Sequence, residues 1–152
     1  MSGPPALAVD LDAIGDTRPL WRAWLESAHA ILSIDPGRLP TDRAAAAAAL
    51  DSAGAGNWRT LLERFREDHA AAFLRRDART SAALRSLAGG GATLGVFTDA
   101  PEPLARIALA QLGATRRVST VETGADALDR LLAVLGPEAA VVRTRDDLLN
   151  RP

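Results

Sequence analysis

Residues 6–17 read ALAVDLDAIGDT: an apolar run from Ala6 to Val9 that ends in two carboxylates, Asp10 and Asp12, one residue apart. A short apolar run bounded by polar residues predicts a buried strand. Ending it in acids sets Asp10 and Asp12 at the strand's carboxyl end, where open parallel sheets bind ligands. Working outward, ATLGVFT (92–98) predicts a second strand that also ends in polar groups, Thr98 and Asp99. RVSTV (117–121) predicts a weak third strand, and EAAVV (138–142) a last one followed by Arg143, Thr144, Arg145, Asp146 and Asp147.

Helical patterns separate these strands. PLWRAWLESAHAILS (19–33) places Leu20, Trp21, Trp24, Leu25, Ala28, Ile31 and Leu32 on one stripe. DPGRLP (35–40) is a turn, Thr41 or Asp42 caps a helix through the alanine run to about Ser52, and Asn57 caps another whose inward face includes Trp58, Leu61, Leu62, Phe65, Ala72 and Phe73. Further helices are expected over 77–88, from Pro101 and Pro103 to about Leu112, and over 124–136, with Leu128, Leu131, Leu132 and Leu135 on one face of the last. Strands alternating with helices predict an α/β fold, a parallel sheet covered by helices, with a long helical insertion after the first strand.

Composition narrows the chemistry. The 152 residues suit one domain with one sizeable insertion, and 47% hydrophobic residues suffice for a core. Cysteine is absent, which excludes disulfides, thiolate metal sites and a Cys nucleophile. All 18 basic residues are arginine, so there is no Walker lysine, Schiff-base lysine or lysine base. A formal charge of −1 gives no field for nucleic acid or an acidic membrane. No segment approaches the roughly 18 apolar residues of a membrane span, and MSGPPALAVDLD lacks a signal-peptide pattern, so a cytoplasmic protein is expected. His29 and His69 border apolar helix faces and read as packing residues; Trp21, Trp24 and Trp58 read as core. GGGATLG precedes a strand instead of following one, which makes it a helix stop and not a dinucleotide loop.

The convergence of acids and a hydroxyl suits phosphoryl transfer. A strand-end carboxylate can attack phosphorus, and an acid two residues on can protonate the leaving oxygen and then activate water. At this point the sequence resembles a family. DLDAIGDT is similar to the first motif of the haloacid dehalogenase-like hydrolases, LGVFTDAPEP to their second, and AVVRTRDDLL to their fourth, and the helical insertion lies where one class carries a cap. The resemblance covers nearly the whole chain. It implies a three-layered Rossmann-like core over 1–17 and 76–152, a helical cap over 18–75, and a Mg²⁺-dependent phosphatase acting on a small phosphorylated metabolite through an aspartyl phosphate. It makes Asp10 the nucleophile, Asp12 the general acid/base and Thr98 the phosphate-binding hydroxyl; Asp99 beside Thr98, and Arg143 at the last strand end, are further candidates for binding phosphate. Asp10, Asp12 (through its carbonyl) and Asp147 become the metal ligands. Hydrolysis of a carbon–halogen bond fits less well, because Asp12 is what phosphoryl chemistry wants.

The chain departs from the family pattern twice. The third motif's cation would fall near Gly124 or Ala125, leaving Arg116, Arg117 or Arg130 as nearby replacements. In the fourth motif Arg143 stands where an acid is expected, and it can supply a cation that binds phosphate directly. A catalytically impaired relative that binds a phosphorylated ligand or a partner protein is the alternative. A phospho-acceptor switch is weaker still, since those need a lysine.

Overall fold

The computed structural model describes residues 5–151, so residues 1–4 and 152 of the expected core lie outside it. Four strands form one all-parallel sheet: β1 (Ala6–Asp10), β2 (Thr93–Thr98), β3 (Thr120–Thr123) and β4 (Ala140–Val142), in the order β3-β2-β1-β4. This is an α/β architecture compatible with a Rossmann-like fold. β1 lies inside the sheet with β2 on one side and β4 on the other, so its carboxyl end is where the chain's winding changes direction.

Period-two alternation explains the layers. Leu7, Val9, Leu94 and Val96 point into one hydrophobic cluster; Ala8 and Phe97 point into a second on the opposite face. The second cluster is closed by α7 (Ala127–Leu135) through Ala127 and Leu131, with Leu128, Leu132 and Leu135 half-buried beside them. The first is closed by α5 (Ala78–Gly89), α6 (Glu102–Gln111), α8 (Arg145–Leu149) and the helical block that follows β1.

That block comprises α2 (Arg18–Leu32), α3 (Arg43–Ser52) and α4 (Trp58–Phe73), after a single helical turn, α1 (Leu11–Ile14). Trp21, Trp24 and Trp58 are buried in a row, with ring centroids 5.2 and 5.8 Å apart. They belong to the same cluster as Val9 and Val96, so the block and the sheet share one continuous core. Arg66 of α4 is 1% exposed and donates to the Pro103 carbonyl of α6, a further tie between the two. His69 stacks on Phe65 at 4.2 Å but is exposed, a boundary position on α4.

Two expectations are corrected. β3 begins at Thr120, not at Arg117, because residues 115–117 close a tight turn in which Arg117 N–H bonds to the Ala114 carbonyl. The inward faces are narrower than expected: Ile31 (66%), Ala72 and Phe73 (38%) are exposed, because the buried stripes are Leu20, Trp21, Trp24 and Ala28 on α2 and Trp58, Leu62, Arg66 and Ala70 on α4, and these three lie off them in the last turns.

Gly95, in the middle of β2, lets α7 sit close to the sheet: a Cβ there would lie 2.6 Å from a Leu131 methyl and 2.9 Å from one of Leu135. Gly95→Val is therefore expected to lower stability by about 2 kcal/mol in urea unfolding, although valine is the better strand former. Unchanged or increased stability would contradict the close packing of α7 on β2.

Candidate functional site

The strand ends bring Asp10, Thr98, Asp99 and Arg143 together with Asp12 around one cleft of about 390 Å³. Asp10 and Asp12 are positioned by the turn that follows β1. Asp10 caps α1, accepting a hydrogen bond from the Asp12 N–H through one oxygen at 2.9 Å. No other hydrogen bond reaches the Asp10 carboxylate among the described residues, so its second oxygen is bare. Asp12 is clamped: its Oδ1 accepts from the Thr17 N–H at 2.9 Å and from the Thr17 hydroxyl at 2.7 Å. Thr17 is fully buried, which fixes this clamp.

Thr98 and Asp99 are not helix caps. Pro101 occupies the cap position of α6, and Asp99 faces the other way, toward the helical block. There it meets Arg43, the first residue of α3 and a functional residue that spacing along the chain did not reveal. Arg43 is only 4% exposed. Its backbone N–H and its Nε each donate to Asp99 at 2.9 Å, on separate carboxylate oxygens. Its Nη1 donates to the Thr17 hydroxyl at 2.5 Å, and its Nη2 to Asp12 Oδ2 at 2.9 Å and to the Thr98 hydroxyl at 3.4 Å. One guanidinium thus joins all the inner polar side chains of the site except Asp10.

The arginines expected to replace the missing lysine lie elsewhere. Arg130 pairs with Glu122 at 3.2 Å and donates to the Thr123 and Ala125 carbonyls. Arg117 donates to the Gly113 carbonyl, and Arg116 lies beside Gly113 and Thr115, away from the cleft. Arg143 does line the cleft. Its guanidinium sits over the Phe97 ring, 5.7 Å from the centroid, and has no acidic partner among the described residues.

Of the metal donors implied by the resemblance, Asp10 and Asp12 share the cleft and Asp147 does not. Asp147 lies in the first turn of α8, outside the lining of the cleft, and pairs with Arg151 at 3.4 Å. Both Asp12 carboxylate oxygens are engaged, which leaves its carbonyl as the implied donor, and Arg143 occupies the strand end where the fourth motif's acid is expected. Among the described residues no three His, Cys, Asp or Glu side chains are grouped so as to hold a metal. Magnesium takes oxygen ligands, and among the described residues Asp10 is the carboxylate of the implied set with an oxygen left open to the cleft, a smaller donor set than the resemblance implies. Among the same residues, no helix is long and apolar enough to cross a membrane.

Burial raises the Asp10 carboxyl above its ordinary value, and the nearby Asp12 and Asp99 charges push the same way; the Asp12 N–H and Arg43 oppose them. Comparison with protein-family models, with curated proteins and with solved structures yields no match to this chain.

Two outcomes follow. Removing Arg43 leaves Asp12 and Asp99 unpaired, so Arg43→Met is expected to cost about 3 kcal/mol in urea unfolding, the low end for a broken buried pair because Asp99 is partly exposed. Arg43→Lys should recover little of this, because an ammonium cannot span the same fork. A loss within 0.5 kcal/mol (about the scatter of surface substitutions) would contradict the network.

Asp10 gives the opposite sign. Its folded-state carboxyl is raised above 3.8, so the native state holds more protons and stability falls as pH rises through that window. Asp10→Asn keeps the capping oxygen and removes the charge. It should raise Tm by a few degrees at pH 7 and lose that advantage below the ordinary carboxylate range. A lower Tm at pH 7 would contradict it.

Proposed function

We propose that the chain is a haloacid dehalogenase-like hydrolase, its helical block standing as the cap, that hydrolyses a small phosphate monoester through Asp10. One observation carries this reading: the bare Asp10 oxygen opens onto the cleft at the end of an interior strand, beside a second carboxylate held rigid by Thr17. A nucleophile must be unencumbered, and an acid/base must be oriented.

The steps balance as follows. Asp10 Oδ attacks phosphorus while the bond to the leaving oxygen breaks. That oxygen takes a proton from Asp12, giving the free alcohol and an aspartyl phosphate. Water then attacks phosphorus, its proton returns to Asp12, and Asp10 is released as carboxylate with inorganic phosphate. Asp12 accepts three hydrogen bonds in the resting site, so Arg43 Nη2 has to leave Oδ2 before Asp12 can carry the proton. The Thr98 hydroxyl accepts from the Ala100 N–H at 3.2 Å, which leaves its own proton for a phosphoryl oxygen.

The same Arg43–Asp12 bond favours a second reading, a protein that binds a phosphorylated ligand without turning it over. Hydrolysis of a generic aryl phosphate and a panel of phosphorylated metabolites separates the two. The enzyme reading expects release of inorganic phosphate that falls about 10³-fold or more in Asp10→Asn, a barrier increase of about 4 kcal/mol. Equal rates for the two proteins would sink it.

A further inference from the structure

We propose that the charge of the phosphoryl group is met in this cleft by two guanidinium groups, Arg43 and Arg143, with no divalent cation required. The inference rests on the phosphohydrolase reading and assigns the electrostatic partner of the same site.

A guanidinium has five N–H groups. Arg43 makes four side-chain bonds, to Asp99, Thr17, Asp12 and Thr98, which leaves one N–H free and a second held only by the long 3.4 Å contact to the Thr98 hydroxyl. A phosphoryl group on Asp10 that takes the Thr98 proton must bring an oxygen beside that same Nη2. The long bond to Thr98 is then exchanged for a charge-assisted bond to phosphate, which is the stronger of the two. When Asp12 takes up its proton, the N–H that it held is released to the phosphoryl oxygens as well.

The second cation lies on a different strand. Arg143 follows β4, lines the cleft with Asp10 and lacks an acidic partner among the described residues. Arg43 and Arg143 therefore approach from two elements, the helical block and the sheet edge. Arg43 is also pre-placed. Asp42 caps α3 by accepting from the Ala45 N–H at 2.8 Å, Asp99 holds the Arg43 N–H, and Ala46 and Leu50 are buried beneath. Donors fixed before the reaction cost no reorganisation when charge develops.

The charge count limits affinity. Asp10, Asp12 and Asp99 oppose Arg43 and Arg143, while Asp42 and Asp126 line the rim. Asp42 and Asp126 are exposed, and solvent and salt screen them. Binding is accordingly modest and falls with ionic strength.

The test is titration calorimetry of orthovanadate in excess EDTA, alongside aryl phosphate hydrolysis in EDTA and in Mg²⁺. Wild type is expected to bind vanadate in EDTA and to hydrolyse at the same rate in both buffers. Arg143→Gln should weaken vanadate binding about 10-fold and Arg43→Gln about 100-fold, with partial recovery in Arg43→Lys, which restores the charge but not the fork. Arg143→Gln sits on the surface, so it keeps the test valid should Arg43→Gln fail to fold. Binding or turnover that appears only with Mg²⁺, no vanadate binding in EDTA, or wild-type affinity in the Arg143 variant would overturn the proposal. Hydrolysis that needs Mg²⁺ leaves the enzyme reading standing. Arginine-dependent vanadate binding with equal hydrolysis by Asp10→Asn leaves the charge assignment standing and removes the enzyme.

Discussion

A guanidinium buried without partners costs several kcal/mol, and that constraint organises the centre of this protein. Arg43 is carried inward at the start of α3, so the fold must surround it with acceptors. It does so with Asp12, Asp99, Thr17 and Thr98, which come from two separate stretches of chain. The same bonds define the site. They hold Asp12 from the side opposite its Thr17 clamp, turn Asp99 away from the helix that follows it, and, among the described residues, leave Asp10 as the inner carboxylate with an open oxygen. Stability and chemistry pull in opposite directions at Asp10, whose ionisation is disfavoured by its burial. In the proposed hydrolysis Asp10 is the nucleophile, and a destabilised carboxylate is the physical form of the reactivity that step needs.

The helical block and the sheet share one hydrophobic core. The block's tryptophans share a cluster with β1 and β2, and Arg66 reaches the α6 carbonyl across the junction. Hinged closure of the whole block would expose that core. In the proposed function, motion that admits a substrate belongs to smaller units, and the Arg43 side chain is the natural one, since exchanging its partners requires no exposure of apolar surface.

Much of the fold was legible because its signals are local. β1 and β2 alternate with period two, and their polar ends mark the sheet edge. The tryptophan and leucine stripes of α2 and α4 have helical spacing. Asp10, Asp12, Thr98, Asp99 and Arg143 could be named because strand ends are readable and parallel neighbours must converge. β3 was misplaced by three residues, since a weakly apolar edge strand such as TVET carries little hydrophobic signal, and a preceding turn absorbed Arg117. Arg43 could not be found in this way. It lies 31 residues from Asp12 and 56 from Asp99, and no periodicity links them. Its one trace in the sequence is a lone charge at the head of an alanine run, where the other residues through Leu50 are apolar. Asp147 shows the converse: an acid at a suggestive spacing whose side chain turns to Arg151, one helical turn on.

The most direct measurement is an experimental structure of the protein with orthovanadate bound in the presence of EDTA. The account predicts vanadium bonded to an Asp10 oxygen, with Arg43 Nη2 moved off Asp12 and donating to a vanadate oxygen beside Thr98. A cleft without vanadate, or vanadate bound while Arg43 still holds Asp12, would contradict it.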